Sequence, residues 1–400
     1  MTRLVSYAIP YLIFLLLLAV LALSYDRLDE KLRERMWMPC SFMLILFLGL
    51  RGYIGDDWTG YHVMFEYVKP NDFHFNVFAS HSFRFEPGIA ILAYVCRRIA
   101  GGDGYLFFQF IVTLIQVILL MRFLKRYSSN FPLGVIIFLM MSGLIMMINL
   151  MRNTIAILIF LNGLHYIEER RPLPYFLVCF AALMFHLSAF IYLPLYFFLH
   201  RPINRWVYLT LFIIGNLIVL FRVPVLSVGA TIVAQLIGGK LAVMVKSYLE
   251  DQHMAALSFN ISIGSLERLG TGLIIFYYWD KIKAIRPANV MFINALVIFF
   301  TFYFFFSEVR EVGKRLADLF VFGYWIIWPD LFECFKQRSL KIAFGVFLTI
   351  YCILKVIGTV GYPNTKYENI LTGYTYYHQR LHQHQEDAKV VTKAQQGDGQ

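Results

Sequence analysis

Long uninterrupted apolar runs are the feature of this sequence that most restricts its fold. The first run covers residues 5–25, and runs of similar character follow along most of the chain. A bilayer requires about 20 consecutive apolar residues per helix, because each backbone amide must be hydrogen-bonded within its own helix. Charged residues make up only 15% of the chain, against about a quarter in average soluble domains. The sequence therefore predicts an all-α, polytopic integral membrane bundle with about 11–13 transmembrane or re-entrant segments.

The apolar runs are expected to form one transmembrane domain over residues 1–375, followed by a polar tail over 376–400 that is expected to be disordered. Two runs do not fit a simple span. Residues 86–100 are short for one helix, and 173–200 are long for one helix and short for two, so we expect a break or a re-entrant segment in each. The first run is interpreted as an uncleaved helix, because many spans follow it.

Charge and cysteine content exclude several classes of protein. The net charge of +11 is interpreted as the basic cytoplasmic loops of a membrane protein. The sequence has no zinc-finger spacing, glycine-rich phosphate loop or basic helix, so no nucleic-acid partner is expected. The five cysteines lie singly in apolar stretches, which is typical of core residues rather than of disulfides or metal ligands. We expect no metal and no cofactor.

Arginines accumulate on the predicted outer face, where the positive-inside bias predicts few cations. Placing six basic loops on the cytoplasmic side leaves these arginines outside: Arg51, Arg84, Arg152, Arg310 and Arg315. Arg268 and Glu267 lie within an apolar run, where ionisable residues are costly and indicate function, unless the two form part of an internal ion-pair network. An excess of guanidinium groups suits a polyanionic ligand, because their planar fork matches phosphate oxygens.

The first of four polar motifs is "RGYIGDDWTGY", which begins at Arg51. Gly55 predicts a tight turn that presents the carboxylate of Asp57 beside Arg51. Trp58 and Tyr61 are equally typical of aromatic residues that anchor a protein at the membrane interface. The motif indicates a polar loop with a carboxylate and an arginine available for chemistry.

The second and third motifs each begin a helix. In "FRFEPG", Glu86 precedes a proline at the first helical position. The helix dipole, or an ion pair with Arg84, would explain this glutamate without a function. In "INLMRNTIAILIF", Arg152 lies between two apolar runs and could extend to the interface. Asn149 and Asn153 beside it add polar groups that a membrane interior must satisfy.

The fourth motif, "ALMFHLSAFIYLP", places His186 inside an apolar run with Ser188 two residues later. Histidine is the side chain best suited to general base catalysis near neutral pH. A single histidine in a membrane helix is also often only hydrogen-bonded to a neighbour. No second histidine lies at metal-ligand spacing.

Taken together, the four motifs resemble the EpsG/Wzy family of bacterial polysaccharide polymerases. The matching stretches are Arg51 with "GDDWTGY", then "EPG", "RNTIA" and "FHLSA", in the family's order over residues 40–200. Looser matches are "GKRLADLF", which contains Arg315, and "GYPNTKYENIL". Asn153 stands where glutamine is commoner in the family, and Trp58 where tyrosine is usual, so no charged group is lost.

The resemblance implies a metal-independent membrane glycosyltransferase of the Wzy type. It would transfer a growing glycan from its polyprenyl (undecaprenyl) diphosphate carrier onto the next carrier-linked repeat unit. The implied location is the bacterial cytoplasmic (inner) membrane, with the active site facing the periplasm or exterior. The implied partners are the lipid-linked oligosaccharide, the bilayer and a chain-length regulator protein.

The implied chemistry divides the candidate residues into two groups. Arginines would stabilise the departing diphosphate, and a base would take the proton of the acceptor hydroxyl. The substrate-binding candidates are Arg152 and Arg315 first, then Arg51, Arg84, Arg268 and Tyr61. The catalytic candidates are His186 as first choice of base, Asp57 as second choice, and Glu86 to orient either of them.

Three other functions remain open. An O-antigen ligase-type glycan transferase is the nearest, because it differs mainly in using lipid A core as the acceptor. A lipid-linked glycan transporter or flippase would also bury arginines around an anionic lipid, but the sequence has no inverted repeat. A membrane acyltransferase would use histidine and arginine as well, but its signature residues are not found in the first span.

Overall fold

The computed structural model describes residues 4–73, 85–102, 104–225, 227–229 and 262–397. Among these residues there are helices and turns and no β-strand, so the predicted all-α, polytopic fold is confirmed. Contacts divide the chain into two compact units, where one domain was expected over residues 1–375. The first unit consists of Met1–Tyr196 with Phe335–Gln400, and the second of Phe197–Cys334.

The first unit contains all four motifs. Its helices in the first half of the chain are α1 (Val5–Tyr25), α2 (Glu30–Arg35), α3 (Trp37–Leu44), α4 (Trp58–Tyr67), α5 (Pro87–Ala100), α6 (Tyr105–Tyr127), α7 (Phe131–Phe138), α8 (Leu144–Ile148), α9 (Met151–Asn162), α10 (Leu164–Glu168) and α11 (Pro172–Leu183). A 3₁₀ helix, Leu187–Tyr192, and the short α12, Leu195–Phe198, follow.

The described residues of the second unit include five α-helices. They are α13 (Arg205–Phe221), α14 (Ile263–Ile285), α15 (Asn289–Phe305), α16 (Arg310–Asp318) and α17 (Phe322–Cys334). Of these, α16 is polar and charged. The chain then returns to the first unit with α18 (Arg338–Val360), a 3₁₀ turn (Pro363–Thr365) and α19 (Tyr377–Gly397). The site motifs at both ends of the sequence therefore belong to one folded unit.

Membrane-spanning character is clearest in four helices of the described residues. They are long and apolar enough to cross a bilayer: Val5–Tyr25, Tyr105–Tyr127, Phe131–Ile148 and Arg338–Val360. Four shorter apolar helices accompany them: Pro172–Leu183, Leu187–Phe198, Arg205–Phe221 and Asn289–Phe305. The protein is an integral membrane protein, and the number of 11–13 segments stays a prediction.

Both irregular runs noted in the sequence have a structural basis. α5 begins at Pro87, whose fixed φ suits the first helical position, and ends at Ala100, followed by the C-cap residue Gly101 with a φ of +79°. The run 173–200 is broken, because α11 ends at Leu183 and a 3₁₀ helix begins at Leu187. This break carries His186 and lies against the beginning of α5.

The polar tail differs from the expected disorder, because Tyr377–Gly397 forms α19. Arg380, in its first turn, is buried, and its guanidinium donates to the carbonyl oxygens of Tyr53 and Asn364, at 3.0 and 3.2 Å. The ring of Tyr377 stacks on His62 with centroids 3.7 Å apart. Composition alone suggested disorder, whereas one arginine and one aromatic residue attach the beginning of this segment to the first outer loop.

Candidate functional site

The centre of the candidate site is an ion pair between Glu86 and Arg152. Glu86 lies at the N-cap of α5, and Arg152 lies in the first turn of α9. Their Oε2 and Nη1 atoms are 2.5 Å apart. The glutamate side chain is 8% exposed and that of the arginine 24%, so the arginine keeps an accessible portion. Removing either partner would leave a poorly solvated charge, which is costly.

The second carboxylate oxygen of Glu86 joins the fourth motif to this pair. Glu86 Oε1 accepts a hydrogen bond from the backbone N–H of Leu187, at 3.2 Å. Two residues after Glu86, the backbone N–H of Gly88 donates to the carbonyl oxygen of Met184, at 2.7 Å. A Cβ atom on Gly88 would lie 2.7 Å from that same oxygen. The "EPG" motif therefore provides the carboxylate of Glu86 and a proline at the start of α5. It also provides a glycine, Gly88, at the point where the backbone of α5 contacts the backbone of Met184.

His186 is held by the start of the 3₁₀ helix that follows it. Its Nδ1 atom accepts a hydrogen bond from the backbone N–H of Ser188, at 3.1 Å, and lies 2.7 Å from the Ser188 hydroxyl. The same hydroxyl donates to Oδ1 of Asn153, at 2.9 Å. Asn153 follows Arg152 directly in α9, so a short hydrogen-bonded chain connects the imidazole to the helix that carries the arginine.

Aromatic side chains complete the surroundings of Arg152. The hydroxyl of the buried Tyr61 accepts a hydrogen bond from the backbone N–H of Arg152, at 3.4 Å. The guanidinium carbon lies 4.9 Å from the ring centroid of Phe85, a distance at which a cation is attracted to the ring face. Burial raises the pKa of the Tyr61 hydroxyl, and the nearby Arg152 opposes the rise. Tyr61 therefore keeps its proton near neutral pH.

The first motif folds as the tight turn that the sequence predicted. Gly55 has a φ of +89°, and a Cβ there would lie 1.9 Å from Oδ1 of Asn149. Oδ1 of Asn149 accepts from the backbone N–H of Asp56, at 3.2 Å, and the Trp58 indole donates to the Gly55 carbonyl, at 3.0 Å. Asp57 is the exposed N-cap residue of α4, one helical turn before Tyr61.

Arg51 occupies a different place from the one its motif suggested. Its side chain is buried, and its guanidinium donates to the carbonyl oxygens of Leu48 and Met147, at 2.6 and 3.1 Å, and to the hydroxyl of Thr113, at 3.0 Å. Met147 lies in the segment that leads into α9. Arg51 therefore ties the first loop to the beginning of the helix that carries Arg152, and its own guanidinium is enclosed by protein.

A contribution from the end of the chain was missed by the sequence reasoning. The side-chain amide of Asn364 donates to both carboxylate oxygens of Asp56, each at 2.9 Å, and the Asn364 carbonyl accepts from the backbone N–H of Gly55, at 2.9 Å. The Glu368 carbonyl accepts from the backbone N–H of Gly52, at 2.9 Å. These residues belong to "GYPNTKYENIL", so the loose match at this stretch was the available signal.

A family model described as the EpsG family matches residues 35–372, which is most of the chain. The chain belongs to the EpsG family. This is a family of Wzy-like polysaccharide polymerases, so the protein is a bacterial integral membrane protein of the polysaccharide-polymerase type. No curated protein and no solved structure matches the chain.

Two further arginine candidates of this EpsG-family chain belong to the second unit. Arg268, in α14, is buried, and its guanidinium carbon lies 3.6 Å from the ring centroid of Tyr303. Its Nη2 donates a hydrogen bond to the Tyr303 hydroxyl, at 2.5 Å. Glu267 beside it accepts from the hydroxyl of Thr271, at 2.8 Å. Arg315, in α16, is exposed. Both arginines therefore lie in the second unit, whereas Glu86 and Arg152 lie in the first.

The remaining predictions concern a residue outside the described range and a metal. Arg84 lies outside the described residues. Within the part of the chain that the structure describes, no group of three or more His, Cys, Asp or Glu side chains could hold a metal ion. The described site therefore consists of an ion pair, a histidine with its hydrogen-bonded serine and asparagine, a tyrosine and an exposed aspartate.

Proposed function

We propose that this EpsG-family protein polymerises polyprenyl diphosphate-linked oligosaccharide repeat units at the outer face of the cytoplasmic membrane. The observation that carries the proposal is the Glu86–Arg152 pair, with the His186–Ser188–Asn153 chain attached to the same two helices. These are the groups that glycosyl transfer from a diphosphate requires: a cation for the leaving group and polar groups that can handle the acceptor proton.

Arg152 is proposed as the main ligand of the diphosphate in the first unit. One edge of its guanidinium is held by Glu86, and its side chain is still 24% exposed. It lies in the first turn of α9, where backbone amides and the positive end of the helix dipole also favour an anion. A preorganised donor at developing negative charge contributes about 10²–10³-fold to the rate.

The roles of the other candidates follow from their surroundings. Glu86 uses both oxygens to position Arg152 and the segment after His186, so it acts as a positioning residue. The base is proposed to be His186 or Asp57. Tyr61 is proposed to bind substrate through its hydroxyl. Arg315 and Arg268 remain proposed ligands of the carrier, and Arg51 is proposed to position α9.

The test is a polymerisation assay with purified protein in lipid nanodiscs and polyprenyl diphosphate-linked repeat units, with product length read on a gel. Wild type is compared with Arg152→Ala and with Arg126→Ala, a matched control whose exposed side chain makes surface contacts with Glu169, at 4.0 Å, and with the ring of Tyr127. We expect a ladder from wild type and the control, and loss of about 10²–10³-fold in rate for Arg152→Ala.

Three other outcomes would contradict the proposal. Transfer onto lipid A core in place of polymerisation would indicate a ligase. Movement of the lipid-linked glycan across the vesicle membrane without a new glycosidic bond would indicate a transporter. A full ladder from Arg152→Ala at normal protein level would remove this arginine from the mechanism.

A further inference from the structure

One face of α6 carries three buried polar side chains, although this helix is long and apolar enough to span the membrane. Gln109, Thr113 and Gln116 lie at positions i, i+4 and i+7, so they share one face of the helix. Each of them is at most 1% exposed. Polar side chains within a membrane span are costly and indicate either a function or a bond between helices. Gln109 donates to the Arg51 carbonyl oxygen, at 2.7 Å, and Thr113 accepts from the Arg51 guanidinium, at 3.0 Å. The role of Gln116 is not explained by these contacts.

Gln116 bonds to the residue that precedes Arg152. Its side-chain Nε2 donates to the backbone carbonyl oxygen of Met151, at 3.1 Å. Because a carbonyl oxygen can only accept, the amide nitrogen of Gln116 must face α9. Among the described residues, the buried Oε1 of Gln116 has no hydrogen-bond partner. One bond made and one buried acceptor left unpaired largely offset each other in stability, so stability alone does not explain a glutamine at this position.

The peptide group that joins Met151 to Arg152 is held on both sides. Its carbonyl oxygen accepts from Gln116 of α6, and its N–H donates to the hydroxyl of Tyr61 of α4, at 3.4 Å. The C=O and N–H bonds of a planar trans peptide point in opposite directions, so two different helices hold this peptide group. Nη2 of Arg51 also lies 3.5 Å from Sδ of Met151.

We propose that Gln116 is a positioning residue for glycan transfer, and that with Tyr61 it fixes the peptide group from which the Arg152 side chain extends. This role rests on the proposed polymerase function. The orientation of the backbone decides where the Cα–Cβ bond of Arg152 points, and Glu86 holds the other end of the side chain at 2.5 Å. With both ends fixed, the accessible part of the guanidinium meets the diphosphate in one orientation. A preorganised cation needs no rearrangement when the leaving group departs.

The decisive variant is Gln116→Met, because methionine fills a similar volume and has no hydrogen-bond donor. We expect the kcat of polymerisation to fall about tenfold, since a misplacement of about 1 Å can cost about 10²-fold in rate, with a smaller change in KM. The thermal unfolding temperature should be unchanged or higher, because the unpaired buried acceptor is removed as well. A fall in unfolding temperature with an unchanged kcat would show a structural role only and would overturn the proposal.

Asn162→Leu is the matched control. The side-chain amide of Asn162 makes the same kind of bond between the same two helices, to the carbonyl oxygen of Leu119 in α6, at 2.9 Å, but at the opposite end of α9. This control should keep its rate, because roughly 15 Å of helix separates it from Arg152. Equal losses of rate in Gln116→Met and Asn162→Leu would assign the effect to the general packing of α6 on α9 and would overturn the proposal.

A double-mutant cycle tests whether Gln116 acts through Arg152. If it does, adding Gln116→Met to Arg152→Ala should lower the remaining rate no further, because the guanidinium that it positions is already absent. A second tenfold loss in the double variant would show that Gln116 acts independently of Arg152 and would overturn the proposal.

Hydrogen–deuterium exchange tests the hold on this peptide group without turnover. Gln116→Met should speed the exchange of backbone amides at residues 151–156 and leave those near Asn162 unchanged, because only the beginning of α9 loses a contact. Unchanged exchange at 151–156 would overturn the proposal. A wild-type protein that makes no ladder would contradict the polymerase function and with it the role in transfer, while the exchange would still decide whether Gln116 holds the beginning of α9.

Discussion

Replacing Gly88 by alanine tests whether the contact between the second and fourth motifs is needed for activity. A Cβ at this position would lie 2.7 Å from the Met184 carbonyl oxygen and 3.0 Å from its carbonyl carbon. Both are backbone atoms, so no flexible side chain can move aside. Restoring ordinary contact requires a shift of roughly 0.5 Å or more between the two segments, at a cost of about 1–3 kcal/mol.

The same shift would pull apart the groups that this contact aligns. Glu86, two residues before Gly88, holds the Leu187 amide at 3.2 Å and the Arg152 guanidinium at 2.5 Å. Because a misplacement of about 1 Å can cost about 10²-fold in rate, we expect Gly88→Ala to lose about tenfold in polymerisation rate. Its thermal unfolding temperature, followed by tryptophan fluorescence in nanodiscs, should also fall.

Gly358→Ala is the matched control, because its helix, α18, offers open space around the added methyl group. Alanine is the better helix former by about 1 kcal/mol, so the control should unfold at the same or a higher temperature and keep its rate. If Gly88→Ala matched wild type in both rate and unfolding temperature, the close backbone approach would not be needed for the site.

Three further substitutions probe the loop around the site. Gly55→Ala should abolish polymerisation and lower the folded yield, because the φ of Gly55 is +89° and the new Cβ would overlap the Asn149 side chain. The folded yield is measured by size-exclusion chromatography, and a normal yield would contradict this prediction. Arg51→Met should destabilise the protein by about 1–3 kcal/mol for each backbone carbonyl left without a donor, whereas the exposed Arg126→Met should be nearly neutral in the same thermal assay. Arg380→Ala should make the α19 segment sensitive to limited proteolysis, because its bonds to two backbone carbonyls are lost; an unchanged cleavage rate would show that other contacts hold the segment.

The sequence predicts the helical membrane fold well, because apolar run length is a direct requirement of the bilayer. It also predicts the tight turn at Gly55 and the break near His186, because glycine, proline and polar residues within apolar runs have local consequences. The pairing of Glu86 with Arg152 is harder to predict from the sequence, since 66 residues separate them and arginine is compatible with several partners. The sequence alone left the helix dipole and a local ion pair with Arg84 as equal explanations of Glu86.

The sequence does not show which of the charged side chains are buried. Arg51 and Arg152 both follow apolar runs and look equivalent in the sequence, yet one guanidinium is enclosed by backbone carbonyls and the other remains partly accessible. The difference depends on which carbonyl groups the helix ends leave unpaired nearby. Arg380 was assigned to a polar tail because the composition of that segment does not show its bonding partners. These are the backbone carbonyl oxygens of Tyr53 and Asn364, which lie in distant loops.

The attachment of Asn364 to Asp56 has a consequence for how the protein is made. These residues are 308 positions apart in the chain, and the second unit is encoded between them. During synthesis on the ribosome, the turn at Gly55 emerges early but lacks its partners until the last tenth of the chain has been translated. Closing so long a loop adds an entropic cost that the contacts must overcome. A chain that ended before Asn364 would therefore lack this partner and leave the turn at Gly55 incomplete.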